Sequence, residues 1–430
     1  MEAKLQRLIE LIPYGKVPLP LTGTFPEIEP DLSTQIKEMT LKPNFTSHII
    51  SQLDRTGEMF ELSNLDETPR HCKGCTCQTI SNYPTIKRGE EIRRDGDPTA
   101  DAYAFWRCRN FVVFSVNDGC GWGVEPSYAA RVASATFVLY VKNEFEKNME
   151  KYKTTEDLKN LCQTAIALAH QTIVDLELAE GKNPGTCTVC AGVLVPIIPD
   201  DVFEKKNIQS EKYNEIHDTS SEIAKIADEY LKNVTKKTKM DEKYQLIGVS
   251  FGDCKTFYLK KGEDKTFEVN DLTFGSRLKA LNPNDPGGRI GFQKRPSRLI
   301  DMRNNIIFHQ IMNWDDMIMV CSDGVHDNLE PKTRGYRPVE VKPELGDIKW
   351  FKLKAPQIEE MNKEFSLKFI KEMAEHSVSV HQLHQIIMDA VVGVVTDRKQ
   401  YMADHPDENV PDVLTGKLDH ATLLLCRPTY

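Results

Sequence analysis

Residues 111–123 read FVVFSVNDGCGWG. The apolar, β-prone run Phe111–Val116 makes a strand by composition. It stops on Asp118, and Gly119, Cys120 and Gly121 follow with almost no side chain. A single Asp-Gly after a strand is ordinarily a turn, because both residues suit turns. Two further apolar strands are bounded by aspartate, however. Met317–Cys321 runs into Ser322-Asp323-Gly324, and Ala421–Cys426 is entered through Leu418-Asp419-His420. If these strand ends converge, Asp118, Asp323 and Asp419 form a cluster of negative charge. Like charges near a core raise one another's pKa and destabilise the fold unless a cation neutralises them. Hard oxygen ligands select Mg²⁺ or Mn²⁺ over zinc. A glycine beside a ligand lets the main chain approach the metal closely.

Working outward from that strand, Ser127–Tyr140 carries Ala130, Ala133, Phe137 and Tyr140 at helical spacing. A second helix is expected over Thr155–Glu180, with Leu158, Leu161, Ala165, Leu168 and Leu176 on one side and a capping box at Thr154 and Asp157. GKNPG breaks the chain before a strand at Thr186–Pro196. Tyr244–Ser250 and Lys255–Lys260 are strands separated by the turn FGDC, and residues 356–396 are helical. Strands come in groups with pairs of long helices between them. That pattern points to an α+β fold, a central antiparallel β-sandwich flanked by helix pairs, rather than to an alternating parallel sheet.

The 430 residues are 40% hydrophobic and 28% charged, a soluble composition with no apolar run near the roughly 18 residues a membrane span needs. The first residues, MEAKLQRLIELIPYG, carry charges among their apolar positions and read as a short amphipathic helix, not a signal peptide. The net charge of −9 argues against a nucleic-acid partner, which usually meets a basic face. Eleven cysteines, most of them inside apolar runs, suit free thiols in a reducing compartment, cytoplasmic or nuclear. Residues 1–90 are rich in proline and read as an extended N-terminal arm, with residues 91–430 as the main domain. A Lys- and Glu-rich stretch at about 203–243 reads as a charged helical insertion. HCKGCTC (His71, Cys72, Cys75, Cys77) has metal-ligand character, but no second half of a zinc site is evident, and a loop with free thiols is the plainer reading.

Five segments in order resemble the metal-dependent, type 2C protein serine/threonine phosphatases, over about residues 95–428. VNDGCGWG is similar to that family's strand followed by Asp-Gly-His-Gly, and GTCTVCAGVLV (Gly185–Val195) to its Gly-Ser/Thr-Thr strand. GVSFGDCKTFYL (Gly248–Leu259) resembles its Gly-Asp-Ser-Arg hairpin, MIMVCSDGVHDNL (Met317–Leu329) its Ser-Asp-Gly-x-x-Asp segment, and LDHATLLLC (Leu418–Cys426) its closing Asp-Asn-x-Thr strand. The resemblance implies a binuclear Mg²⁺ or Mn²⁺ centre at one end of the sandwich. Asp118 would bridge two metals, Asp323 and Asp419 would complete the first site, and the Gly119 carbonyl would help the second. Asp253 and Asp327 would take outer or third-metal positions, and Asp101 matches the aspartate of the family's Glu-Asp pair. Two close metals lower the pKa of a bridging water and orient it in line with a phosphoryl group, so no protein nucleophile is needed.

Four positions depart from the family. Its Glu of the Glu-Asp pair is Ala100 here, its acid histidine is Cys120, and its closing-strand Asn is His420. A thiol of ordinary pKa near 8.5 can donate a proton but is easily lost as thiolate. The arginine that would hold the substrate phosphate is displaced; Arg94, with Arg93 beside it, is the nearest equivalent, while Arg289 in DPGGR reads as a turn residue rather than a substrate clamp and His326 as an exposed loop histidine rather than a metal-adjacent base. Two functions follow: a phosphatase acting on phosphoserine or phosphothreonine, with a phosphoprotein substrate, or a pseudophosphatase that binds protein partners without turnover.

Overall fold

In the computed structural model, which describes residues 25, 27–63, 67–88, 90–180, 184–198, 242–273, 286–291 and 298–428, the chain builds two antiparallel sheets. The first runs in the order β1 (Met59–Leu62), β6 (Ala102–Arg107), β7 (Val112–Gly119), β8 (Thr186–Ile197), β9 (Lys243–Phe251) and β13 (Asn305–Asn313), with the short β12 (Ile290–Gly291) beside β8. The second runs β11 (Phe267–Asp271), β10 (Lys255–Lys261), β14 (Met317–Cys321), β15 (His420–Cys426), β3 (Cys75–Ser81) and β2 (Arg70–Cys72). A separate hairpin joins β4 (Thr85–Arg88) to β5 (Glu91–Arg94).

Side chains alternate across each strand, and here both faces are covered. In β7, Val112, Phe114 and Val116 point between the sheets, where they join Ile318 and Val320 of β14 and Leu424 of β15. Phe111 and Val113 point the other way, into helices α1 (Pro30–Lys37), α2 (Val124–Lys147) and α3 (Thr155–Glu180). On the far side, Met317, Met319, Leu423 and Leu425 pack against α4 (Ala355–Glu375) and α5 (Val380–Asp404). The result is the α+β arrangement expected from the sequence: helices, sheet, sheet, helices. Strands buried on both faces lose the polar alternation of a half-exposed sheet, which is why FVVFSV and MIMVC read as unbroken apolar runs.

Several boundaries differ from those expected. The helix expected at Ser127–Tyr140 begins at Val124 and continues to Lys147, because Val141 and Phe145 keep its buried face going. The charged residues between them hide that face, yet Lys142 is itself buried, its ammonium 2.7 Å from Glu58 and 4.8 Å above the Trp106 ring. The helical stretch 356–396 is two helices, divided where the Ser379 side chain accepts from the amide of Gln382 and starts α5. The described part of residues 1–90 contributes α1 and strands to both sheets. β1 pairs with β6, and β3 pairs along its whole length with β15. CTCQTIS is buried at nearly every position but built from small and polar residues, so it carries no apolar period. The charged insertion at about 203–243 lies outside the described residues except at Glu242 and Lys243. His71, Cys72, Cys75 and Cys77 form the β2–β3 hairpin. Cys75 and Cys77 face the inter-sheet core, and among the described residues no gathering of metal-ligating atoms includes them.

Candidate metal centre

The ends of β7 and β14 and the start of β15 meet at one end of the sandwich, and two glycines set how closely. A Cβ on Gly324 would lie 1.8 Å from the carbonyl oxygen of His420, and one on Gly119 would lie 2.5 Å from that of Pro126 and 2.8 Å from that of Ala100. Each Asp-Gly pair therefore lets one backbone press against another. At Gly119 the neighbours that exclude a side chain are protein backbone, a packing reason for glycine there.

Oxygens of Asp118, Asp253 and Asp323 all lie within 4.8 Å of one another. Asp118 keeps some open surface, yet burial is the first cause that pushes its carboxyl well above the carboxylate range, followed by the charges of Asp323, Asp101, Asp419 and Asp253. Asp101 sits behind this group, 1% exposed. Burial, then the charges of Asp419 and Asp323, raise its carboxyl to about 7. Ser322 Oγ donates to Asp101 Oδ2 at 2.6 Å, while Asp101 Oδ1 is buried with no hydrogen-bond partner among the described residues. An all-oxygen donor set under mutual repulsion fits a hard divalent cation held by Asp118, Asp253 and Asp323.

Asp419 and Asp327 both contact Lys417, a residue to which the sequence reading gives no role. The Lys417 ammonium lies 2.9 Å from Asp419 Oδ2 and 3.0 Å from Asp327 Oδ2, and it also contacts Asp323 Oδ2. Asp419 Oδ1 accepts from the Tyr83 hydroxyl at 3.2 Å and from the backbone amide of His420 at 2.9 Å. Tyr83 in turn accepts from Trp122 Nε1 at 2.7 Å. The structure thus groups Asp253 with Asp118 and Asp323, and gives Asp419 and Asp327 to Lys417. His326 is buried, not an exposed loop residue: its Nε2 lies 2.9 Å from the Asp253 carbonyl and its Nδ1 lies 3.1 Å from Asp327 Oδ1. His326, Asp327 and Glu330 form a second gathering of ligating atoms.

The departing positions are also accounted for. Ala100 donates its backbone amide to His420 Nδ1 at 3.2 Å, so the histidine in the Asn position ties β15 to the start of β6. Cys120 is partly open, but its thiol is enclosed enough that burial raises its pKa to about 11, opposed by the charge of Arg289. An ordinary thiol is already mostly protonated at pH 7; burial extends the range over which Cys120 keeps its proton to higher pH. Arg94 is engaged by Glu67, by Asp97 at 2.8 Å and by Thr99 at 3.4 Å. Arg289, a turn residue by its sequence context, is the arginine whose charge reaches Cys120. A cleft of about 740 Å³ lined by Tyr83, Trp122, Asp327, Lys332, Arg398 and Asp419 opens beside Lys417.

Lys417, Tyr83 and Ser322 are the participants that sequence reasoning misses. Lys417 leaves a usable signal, a cation two positions before a candidate metal-binding aspartate. Tyr83 leaves none; Ser322 stands inside the Ser-Asp-Gly motif, but nothing in that motif shows that its hydroxyl reaches Asp101, a carboxylate distant in sequence.

No protein-family model matches the chain. No curated protein matches it. Its structure is similar to that of the serine-threonine phosphatase 2C from Toxoplasma gondii, at 9% identity and a TM-score of 0.39, covering 86% of this chain and 99% of that one. It is likewise similar to the S. agalactiae serine/threonine phosphatase, at 11% identity and a TM-score of 0.39, covering 82% and 99%. A third is the catalytic domain of the serine/threonine protein phosphatase PstP in complex with two manganese ions, at 10% identity and a TM-score of 0.36, covering 87% and 100%. All three are serine/threonine phosphatases.

Proposed function

We propose that this domain is a divalent-cation-dependent phosphatase of the type 2C kind, acting on phosphoserine or phosphothreonine in proteins. The observation that carries the reading is the convergence of Asp118, Asp253 and Asp323 from three separate strand ends. A divalent cation held there supplies Lewis acidity that activates water and offsets charge on a phosphoryl group. The protein's own contribution is positional. Asp118, Asp253 and Asp323 hold the ion, and the Ser322–Asp101 bond braces the wall behind them. The Cys120 thiol keeps its proton at neutral pH and is the group available to a leaving alkoxide. Arg289, whose charge reaches that thiol, is the better-placed cation for a substrate phosphate, since Arg94 is already engaged by Glu67 and Asp97. The expected occupant is Mg²⁺ or Mn²⁺, because every ligand is a hard oxygen.

The test is hydrolysis of a phosphoserine or phosphothreonine peptide with Mn²⁺, in the wild type and in Asp118→Asn and Asp323→Ala. Turnover that requires Mn²⁺ and is lost in both variants is expected. Turnover that survives either substitution overturns the assignment of the site.

A second reading is a module that binds a cation and protein partners without turnover. It is favoured by Ala100, which offers no carboxylate, by the engagement of Arg94, and by Lys417 against Asp419. A wild type that binds Mn²⁺ but hydrolyses no phosphopeptide decides for it.

A further inference from the structure

A lysine ammonium set among three carboxylates is a cation already in place. Lys417 reaches Asp419 at 2.9 Å, Asp327 at 3.0 Å and Asp323. Its backbone is pinned as firmly as its head group. The amide of Lys417 donates to Asn328 Oδ1 at 2.8 Å, and Asn328 Nδ2 donates to the Lys417 carbonyl at 2.9 Å and to the Gly324 carbonyl at 2.8 Å. Asn328 is fully buried. One side chain thus fastens the lysine's segment to the turn that carries Asp323 and Asp327, and the ammonium is held where those carboxylates meet Asp419.

We propose that Lys417 is a tethered cation that takes the place of one divalent ion, leaving a single-ion centre at Asp118, Asp253 and Asp323. The proposal rests on the cation-dependent reading of that centre. Two divalent ions side by side need the carboxylates between and around them, as in two-metal hydrolases. Here Asp323 is shared: one of its oxygens lies within 4.8 Å of oxygens of Asp118 and Asp253, and its Oδ2 contacts the Lys417 ammonium. A second divalent ion against Asp323 and Asp419 meets a fixed positive charge at close range, and must displace an ammonium that makes three charged contacts. The tether gives the lysine an advantage that no free ion has, because its effective concentration does not depend on the solution. Removing the Lys417 ammonium takes a positive charge away from Asp323, Asp327 and Asp419, a strongly destabilising change, and leaves a place for an ion.

The test is Mn²⁺ titration of the full chain, read by calorimetry and by electron paramagnetic resonance of bound Mn²⁺, with no dependence on turnover. The wild type is expected to take one Mn²⁺, and Asp118→Asn none. Lys417→Ser and Lys417→Met are expected to take two, while Lys417→Arg, which keeps the charge, stays at one. Without metal, Lys417→Ser and Lys417→Met should melt below the wild type, and Mn²⁺ should raise their melting temperature more than it raises the wild type's. A wild type that takes two Mn²⁺ of similar affinity overturns the proposal and leaves the phosphatase reading standing; that result needs no variant to fold. A Lys417→Met protein that folds yet stays at one ion also overturns it. A wild type that takes no Mn²⁺ overturns the single-ion centre and the cation-dependent reading together.

Discussion

Ser322 Oγ donates to Asp101 Oδ2 across 2.6 Å, joining residues 221 positions apart in the chain. The same hydroxyl accepts from the amide of Thr422 at 2.9 Å, so one small side chain links β14, β15 and the start of β6 behind the carboxylate group. Ser322→Ala removes a donor from a buried carboxyl and an acceptor from a buried amide. A cost of about 2–3 kcal/mol is expected, the scale for leaving buried polar groups unpaired. Urea unfolding at pH 7.5 checks it. A change under about 0.5 kcal/mol would show that the bond is dispensable, in line with an ordinary surface substitution.

Glycine substitutions should separate two kinds of position. Gly324→Ala puts a methyl 1.8 Å from the His420 carbonyl, so the strand ends must part. A loss of about 3 kcal/mol or more is expected, the upper range for overpacking, together with weaker Mn²⁺ binding. Gly393 lies exposed within α5, and a Cβ added there would meet nothing within 4 Å. Gly393→Ala should stabilise by roughly 1 kcal/mol through helix propensity alone. Denaturant midpoints of the two variants, compared with the wild type, test both signs.

Removing divalent cations should destabilise the protein, and the remedy should depend on Asp118. Its carboxyl is pushed upward by burial and then by Asp323, Asp101, Asp419 and Asp253, so the ionised form is disfavoured in the folded state without a cation. Asp118→Asn relieves that repulsion. In chelator, this variant is expected to melt at or above the wild-type temperature. With Mn²⁺ added, the wild type should gain several degrees and the variant none, since a ligand that binds only the folded state stabilises it. Equal gains in both proteins would place the ion elsewhere.

Acid should weaken the fold through His170. Its Nδ1 accepts from the amide of Gly291 at 3.0 Å, and its Nε2 lies 2.7 Å from the Arg298 carbonyl, an arrangement that needs the neutral ring. Burial lowers its pKa from 6.5 to about 4. The unfolded chain therefore binds the extra proton first, and stability falls as pH drops from 6.5 towards 4, by about 3 kcal/mol for a shift of that size. His170→Gln should be less stable throughout but show a shallower decline across that window. Melting temperature against pH for the two proteins is the measurement, and parallel curves would exclude His170 as the source.

Much of this architecture can be read from the chain alone, because burial on both faces leaves a local trace. FVVFSV, MIMVC and ATLLLC are strands by composition, and the helix Thr155–Glu180 carries its apolar spacing and its cap, with Asp157 accepting from the Thr154 amide at 2.8 Å. The aspartates at the strand ends are legible for the same reason: a charge beside an apolar run is conspicuous. CTCQTIS is not legible as a strand, since its small polar residues are satisfied by partners in β15 and β2, and no local pattern records a pairing partner.

What the sequence determined by itself is which residues are of the kind that bind a cation, and that they lie where strands end. What only the tertiary structure decided is how the charges are shared out. Asp253 joins Asp118 and Asp323, whereas Asp419 and Asp327 face Lys417. Electrostatic pairing depends on distance in space, and those distances are set by Gly119 and Gly324 where one backbone presses on another. A sequence names its charges, and packing chooses their partners.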